Sequence, residues 1–181
     1  MKKVILLSIA FLFFNACSCY KHKGVKIKNT MVSQFTMQKE NIYITEKISI
    51  LPNSSILYKK DKFGVGYYKV VPGTKTVFIY TYKEEPVNKN LRDAGYTEEV
   101  IFEIKGKIKE MELKDEELKK VNLLVGIHGF FKRAGVYPVT KGYLKINLPK
   151  KDLLKLQIHI DKPDYMVRKK DIVQEIPLLT R

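Results

Sequence analysis

Apolar and polar residues alternate with a period of two along much of the chain after residue 24. Ile42, Ile44, Ile48 and Ile50 fall on one face of such a segment, and polar residues occupy most of the other face. This alternation is typical of a β-strand that is buried on one side. Glu46 interrupts the apolar face, which predicts a bulge or a sheet edge at that position.

Further segments show the same period or are apolar on both faces. Alternation predicts half-buried strands at 99–105, 143–148 and 154–161, and a last strand at 172–178 that tolerates Pro177 near an edge or an end. Nearly continuous apolar runs at 76–82 and 123–131 predict central strands that are covered on both sides.

Turn residues and one helical pattern complete the predicted fold. Proline, glycine and asparagine predict turns at 52–53, 72–73, 86–90 and 163–164. A short helix is predicted from Asp115 to Val121, since acidic residues open it, Lys119 and Lys120 close it, and Leu118 can face a core. Short strands at this spacing predict an all-β fold, mainly an antiparallel β-sandwich of immunoglobulin-like or transthyretin-like type, with this one helix bridging two strands.

The first sixteen residues have a different pattern. Lys2 and Lys3 precede an apolar run over 4–14 that only Ser8 interrupts, and the small residue Ala16 follows. A helix of about 11 residues would reach little more than half of a ~30 Å hydrocarbon core. The segment 1–16 is therefore predicted to be a signal peptide rather than a membrane-spanning helix.

The end of this leader carries a recognisable motif. Phe14-Asn15-Ala16-Cys17 resembles the lipobox of bacterial lipoproteins, in which a bulky apolar residue stands three positions before a cysteine and a small residue directly before it. The resemblance implies that the Cys17 thiol is diacylated and that Cys17 becomes the first residue of the mature protein. Cys19, preceded by Ser18, is a competing site, and an ordinary secretory signal is the alternative to the whole assignment.

Residues 17–24 are then a lipidated tether, and residues 25–181 are expected to form one domain. The formal charge of +15 falls to +13 without the two lysines of the leader. The 30 lysines greatly outnumber the four arginines, whereas phosphate and base recognition favours arginine, so we expect no nucleic-acid partner. Lys21, Lys23, Lys26 and Lys28 follow the lipid site and are expected either to contact an anionic membrane surface or to remain a solvated tether.

The sequence contains no recognisable catalytic or metal-binding motif. The spacings HxH, CxxC and HExxH are missing, so neither a metal nor another cofactor is expected. His22 lies in the tether, and His159 falls on the polar face of a strand. His128, between Gly126 and Gly129, is interpreted as a hydrogen-bonded structural histidine rather than a catalytic base.

The segment 83–99 is predicted to be a long connection between strands. It carries charges of both signs, including Glu84, Glu85, Arg92 and Asp93, which make it a candidate partner-binding loop. A solvated crossing without a partner is the alternative.

Together these features lead to the expectation of a membrane-anchored protein of the bacterial cell envelope, on the outer membrane if the cell has one. Its domain would be a non-catalytic binding or assembly module for an envelope protein or polymer. An envelope enzyme, and a lysine-mediated binder of anionic polymer or lipid, are the alternatives.

Overall fold

The computed structural model of the chain describes residues 24–88, 90, 95–129, 134–162 and 167–178. One short 3₁₀ helix, Asp115–Val121, accompanies the strands in these ranges. The strands are β1 (Met31–Lys39), β2 (Ile42–Lys60), β3 (Gly66–Pro72), β4 (Lys75–Pro86), β5 (Tyr96–Lys105), β6 (Met111–Lys114), β7 (Leu124–His128), β8 (Gly135–Pro138), β9 (Gly142–Lys150), β10 (Leu153–Ile160) and β11 (Asp171–Pro177).

The strands form two antiparallel sheets. The larger sheet has the order β1-β2-β4-β5-β7-β8, and β3 pairs with β2 outside this path. The smaller sheet has the order β11-β10-β9-β6. The predicted all-β, mainly antiparallel, sandwich-like fold is therefore confirmed.

The main core lies between the two sheets. Phe78 of β4 and Phe102 of β5 stack with ring centroids 4.6 Å apart and are fully buried. Ile146 of β9 and Leu156 of β10 belong to the same core and are also fully buried. The alternation of each strand directs these side chains inward, so burial of apolar area stabilises both sheets together.

A second, smaller core covers the outer face of the large sheet. The register of β2 shifts between Leu51 and Ser54, and from Ser54 onward β2 pairs with β3. Residues of this hairpin pack over Val77 of β4 and Ile101 of β5. The turn predicted at 52–53 is therefore wrong, because those residues form a bulge within one continuous strand.

The covering hairpin also changes the surroundings of β5. Ile101 and Glu103, on the outer face, are buried beneath it. The prediction that β5 is solvated on one face is thus wrong, whereas β4 is central and covered on both sides, as the run at 76–82 predicted. Glu103 is stabilised in this position by Lys75, whose Nζ lies 2.6 Å away, and by the amide of Ile56 at 2.9 Å.

The 3₁₀ helix connects β6 of the smaller sheet to β7 of the larger one. Leu118 and Val121 are its buried residues, and Asn122 ends it in the left-handed conformation. The predicted short helix between two strands is confirmed.

Glu46 lies in a regular part of β2, where a bulge or an edge was expected. Its neighbours across the sheet are Phe35 of β1 and Tyr82 of β4. The prediction was wrong because an acidic residue on an inner face can also be stabilised by a basic partner, and Glu46 has one in Lys169.

Candidate binding surfaces

The sequence-predicted anchor and the first part of the tether lie outside the described residues. This applies to the signal peptide 1–16 and to Cys17, Cys19, Lys21 and Lys23. Lys26 and Lys28 are described, and both are exposed.

The chain enters the sandwich through a two-residue bridge. The amide of Val25 donates to the carbonyl of Ile108 and the amide of Ile108 donates to the carbonyl of Val25, both at 2.7 Å. A Cβ at Gly24 would lie 2.5 Å from the Ile108 carbonyl oxygen, so this close approach requires glycine. Ile27 is then buried in the main core.

The predicted partner loop is shorter than expected. Glu84 and Glu85 belong to β4, which ends at Pro86, and β5 begins at Tyr96. Glu84 is not available to a partner, because its carboxylate accepts a hydrogen bond from Tyr82 at 2.6 Å and pairs with Arg168. Glu85 is exposed, and Nζ of Lys83 lies 2.8 Å from its carboxylate. Arg92 and Asp93 lie outside the described residues.

A polar cluster that the sequence did not predict lies inside one end of the sandwich. Glu98 of β5 is fully buried. Its carboxylate accepts hydrogen bonds from the Tyr96 hydroxyl at 2.6 Å and from the amides of Arg168 and Lys169 at 2.8 and 3.3 Å. Burial raises the pKa of Glu98, and these hydrogen bonds oppose the rise.

The same basic residues bind two further strands of the large sheet. Lys169 lies 2.6 Å from Glu46 of β2, and Arg168 pairs with Glu84 of β4. The guanidinium of Arg168 also stacks over the ring of Tyr96 at 4.1 Å. The cluster therefore holds the segment before β11 against β2, β4 and β5, and these contacts stabilise the fold.

A second polar cluster lies on the outer face of the large sheet. Nε2 of His128 is 3.0 Å from Oε2 of Glu99, and the Tyr68 hydroxyl donates to the same oxygen at 2.9 Å. A Cβ at Gly126 would already touch the His128 ring at 3.0 Å, so a larger residue would displace it.

The pKa values of this pair shift in opposite directions. The hydrogen bond to Glu99 raises the pKa of His128. Burial would raise the pKa of Glu99, but the hydrogen bonds from His128 and Tyr68 outweigh it and lower this pKa. In the described part of the chain, no serine, threonine or cysteine is hydrogen-bonded to His128. His159 is likewise beside a carboxylate, that of Asp171 at 2.8 Å.

β1 is the most exposed strand in the described ranges. It pairs with β2 on one side and with no other described strand on the other side. Val32 and Phe35 expose 58% and 61% of their surface, and Met37 is exposed as well. Residues 31–38 contain no charged residue, proline or glycine.

A groove runs beside the start of β1. It has a volume of about 370 Å³ and lies between Met31 and Ser33 of β1 and Ile176 and Pro177 of β11. Phe35 lies four residues after Met31 on β1, so both side chains are on the same face of the strand. Phe35 therefore extends this apolar face beyond the groove.

The other free edges among the described strands are protected. Charged residues or prolines occur on each, and β6 and β8 are only four residues long. These residues are Lys69 and Pro72 on β3, Glu112 and Lys114 on β6, Pro138 on β8, and Asp171, Glu175 and Pro177 on β11. β1 differs from all of them in its length and in the absence of charge over residues 31–38.

Comparisons with family models, with curated proteins and with solved structures find no match for the chain. Within the described ranges, no helix is long and apolar enough to span a bilayer, and no group of three or more histidine, cysteine or acidic side chains is placed to hold a metal ion.

Proposed function

We propose that the protein is a bacterial envelope lipoprotein, anchored through Cys17, whose sandwich is a non-catalytic protein-binding module with β1 as its binding edge. The observation that carries this proposal is the unprotected β1 strand. A long edge without charge over residues 31–38 exposes unpaired backbone groups that readily pair with a strand from another chain.

The partner is an extended segment of another envelope protein. Such a segment adds to the sheet through backbone hydrogen bonds, while every second side chain enters a pocket beside the edge. The apolar face at Met31 and Phe35 selects apolar side chains at those alternate positions. The positive charge of the whole chain opposes association of two copies and favours a neutral or acidic partner.

The polar clusters support a non-catalytic role. Glu98 and Glu84 are engaged in holding the segment before β11, and His128 is paired with Glu99 and Tyr68. These hydrogen bonds stabilise the fold, and within the described residues they leave no base next to a nucleophile.

Lipidation is tested by metabolic labelling with an alkynyl fatty acid. We expect Cys17→Ala to abolish the label and to release the protein from the membrane, because Phe14 and Ala16 precede Cys17 in the lipobox-like order. Cys19→Ala is the matched control, and this variant should keep the label and remain associated with the membrane. A label that survives in Cys17→Ala would refute the anchor.

The binding edge is tested by crosslinking and pull-down from membranes with two matched variants. Val32→Lys places a charge on β1, and Val173→Lys places one on β11 at an equally exposed valine, 58% in both cases. We expect Val32→Lys to lose the captured partner because a charged edge resists strand addition. Val173→Lys should retain it.

Neither substitution should change stability by more than about 0.5 kcal/mol, since both positions are exposed surface. Equal melting temperatures of the two variants therefore exclude misfolding as the cause of lost binding. Retention of the partner by Val32→Lys, or its loss in both variants, would contradict the proposed edge. Self-association of the wild-type chain that Val32→Lys abolishes would identify a second copy as the occupant instead.

A further inference from the structure

Two lysine-rich segments that are distant in sequence meet where the chain enters the sandwich. The hydrogen bonds between Val25 and Ile108 join the tether to the connection between β5 and β6. Lysines alternate with other residues in both segments. We define the basic face as Lys26, Lys28, Lys105, Lys107 and Lys109, all of which are exposed.

The bridge places Lys26, Lys107 and Lys109 on one side, and Lys28 alternates with the buried Ile27 in the same way. Ile27 and Ile108 are buried, so the residues that alternate with them point outward. Because the bridge is antiparallel, Lys26 lies opposite Lys107, while Gly24 lies against Lys109. Like charges in opposite positions are destabilising, so the fold alone gives no reason for this arrangement.

No carboxylate of the described residues forms an ion pair with a lysine of the basic face. The acidic residues next to it in sequence have other partners. Glu103 is buried beside Lys75 at 2.6 Å, and Glu110 accepts a hydrogen bond from the amide of Leu148 at 3.2 Å. The basic face therefore retains its positive charge for an external anion.

We propose that the basic face binds the anionic phospholipid headgroups of the membrane that carries the lipid anchor. This inference rests on the proposed lipidation of Cys17. Gly24 lies seven positions after Cys17, and an extended chain over that distance spans at most ~25 Å. The anchor thus confines the basic face close to a leaflet, and the occupant is a surface of opposite charge within reach.

The expected effect is orientation of the domain. Each lysine near an anionic leaflet increases the occupancy of the bound state about fivefold, and the attraction acts only within about 8 Å at physiological salt. Several lysines on one side are sufficient to hold that side towards the membrane. The sandwich would then be fixed relative to the bilayer instead of rotating freely on its tether.

Lysine footprinting of the full mature chain tests this inference. The purified protein is reconstituted in vesicles of phosphatidylcholine, with or without phosphatidylglycerol, and acetylated briefly before mass spectrometry. We expect Lys26, Lys107 and Lys109 to react about fivefold more slowly in the anionic vesicles. The protection should disappear near 1 M salt, where the Debye length falls to about 3 Å.

Lysines at the end of the β2-β3 hairpin are internal controls. Lys59 and Lys60 are exposed there, and the hairpin lies against β8 through Tyr58. Their reactivity should not change with lipid composition. A double variant Lys26→Gln, Lys107→Gln should reduce the protection of Lys28 and Lys109, whereas Lys59→Gln, Lys60→Gln should leave it intact.

The outcomes separate this inference from the anchor. A lipidated chain whose basic face reacts equally in both vesicles, or whose control lysines are protected to the same extent, overturns the inference alone. A chain whose mass shows no lipid but whose basic face is still protected overturns the anchor alone. An unlipidated chain without protection overturns both.

Discussion

His128 and Glu99 show how a pair of side chains can be specified by the fold rather than by a motif. They lie 29 positions apart in sequence, and the pairing of β5 with β7 brings them within 3.0 Å on the outer face. Tyr68 reaches the same carboxylate only because the β2-β3 hairpin folds over that face. The sequence predicted a hydrogen-bonded His128 but could not name its partner.

The stability that His128 contributes should depend on pH. The folded pKa of His128 is raised, so its contribution is fully present below the unfolded value of about 6.5 and is lost as pH rises through the folded value. The folded pKa of Glu99 is lowered, so its contribution is present above about pH 4.3 and is lost as pH falls through the folded value. The pair is therefore most stabilising between about pH 4.3 and 6.5.

We expect the melting temperature of His128→Gln to lie furthest below that of the wild type in this window and to approach it as pH rises through the raised folded pKa of His128. The difference should be small, because the His128 side chain is 46% exposed and solvent screens the interaction. Tyr68→Phe retains His128. The difference in melting temperature between Tyr68→Phe and the wild type should therefore stay nearly constant over the pH range in which the histidine titrates. If the difference in melting temperature between His128→Gln and the wild type does not change with pH, a charge pairing of His128 with Glu99 is excluded.

Glu98 illustrates what the sequence could have revealed. Glu98, Val100 and Phe102 occupy alternate positions of the strand and lie on one face. Since Val100 and Phe102 are apolar, the sequence already places Glu98 on the inner face. An acidic residue there requires a partner. The sequence could not show that this partner would be the backbone of Arg168 and Lys169, because that contact depends on how the two sheets pack.

At the scale of elements, the alternation of apolar and polar residues predicted the positions of the strands well. It predicted less well which faces of the strands are covered. The period of two located β5, β9, β10 and β11 because each has an apolar face towards the main core. It failed at Glu103 because the cover on the outer face comes from a distant hairpin. Glu84 was assigned to a long connection but belongs to β4, and its side chain pairs with Arg168 from a distant part of the chain.

The bulge in β2 is the element that creates this cover. Asn53 adopts the left-handed conformation with φ of 52°, and its carbonyl accepts a hydrogen bond from the amide of Gly73 at 2.9 Å. Proline and asparagine are typical of turns, so the sequence suggested that the strand ends here. The strand continues instead because β3 replaces β4 as its partner.

We expect Asn53→Val to destabilise the protein by about 1–2 kcal/mol, because a β-branched residue resists the left-handed region. Asn53→Gly tolerates that region and should have almost no effect. Urea unfolding measures both. Lys59→Val, at an exposed position of the same strand outside the left-handed region, reports the cost of the valine side chain alone. Equal stability of Asn53→Val and Asn53→Gly would show that the bulge does not constrain β2.

At the scale of the whole molecule, the proposed binding features divide the surface between two tasks. β1 carries no charge over residues 31–38 and has a free edge, while the basic face is charged and adjoins the start of the described chain. A partner strand and a membrane would thus be recognised by different chemistry. Both features lie close to the start of the folded chain, since Lys28 precedes Met31 by only three positions.

The same arrangement predicts that the domain folds without residues 1–24. The two sheets share one main core, and Val25 and Ile27 attach the first described residues to it. We therefore expect residues 25–181 to form a soluble monomer with the circular dichroism spectrum of β structure and a single unfolding transition. A helical double minimum, or separate transitions for the two sheets, would contradict this.

Residues 30–181 are the matched truncation. This shorter chain lacks the bridge to Ile108 and the buried Ile27 side chain, whose transfer from water contributes about 1.5–3 kcal/mol. It retains all the strands of the described ranges, so its spectrum should be unchanged while its free energy of unfolding in urea falls by roughly 2 kcal/mol. If both chains are equally stable, the bridge does not fix the tether to the fold, and Lys26 is not held opposite Lys107. The membrane-facing role of the basic face would then lose its structural basis, whereas the β1 edge would be unaffected.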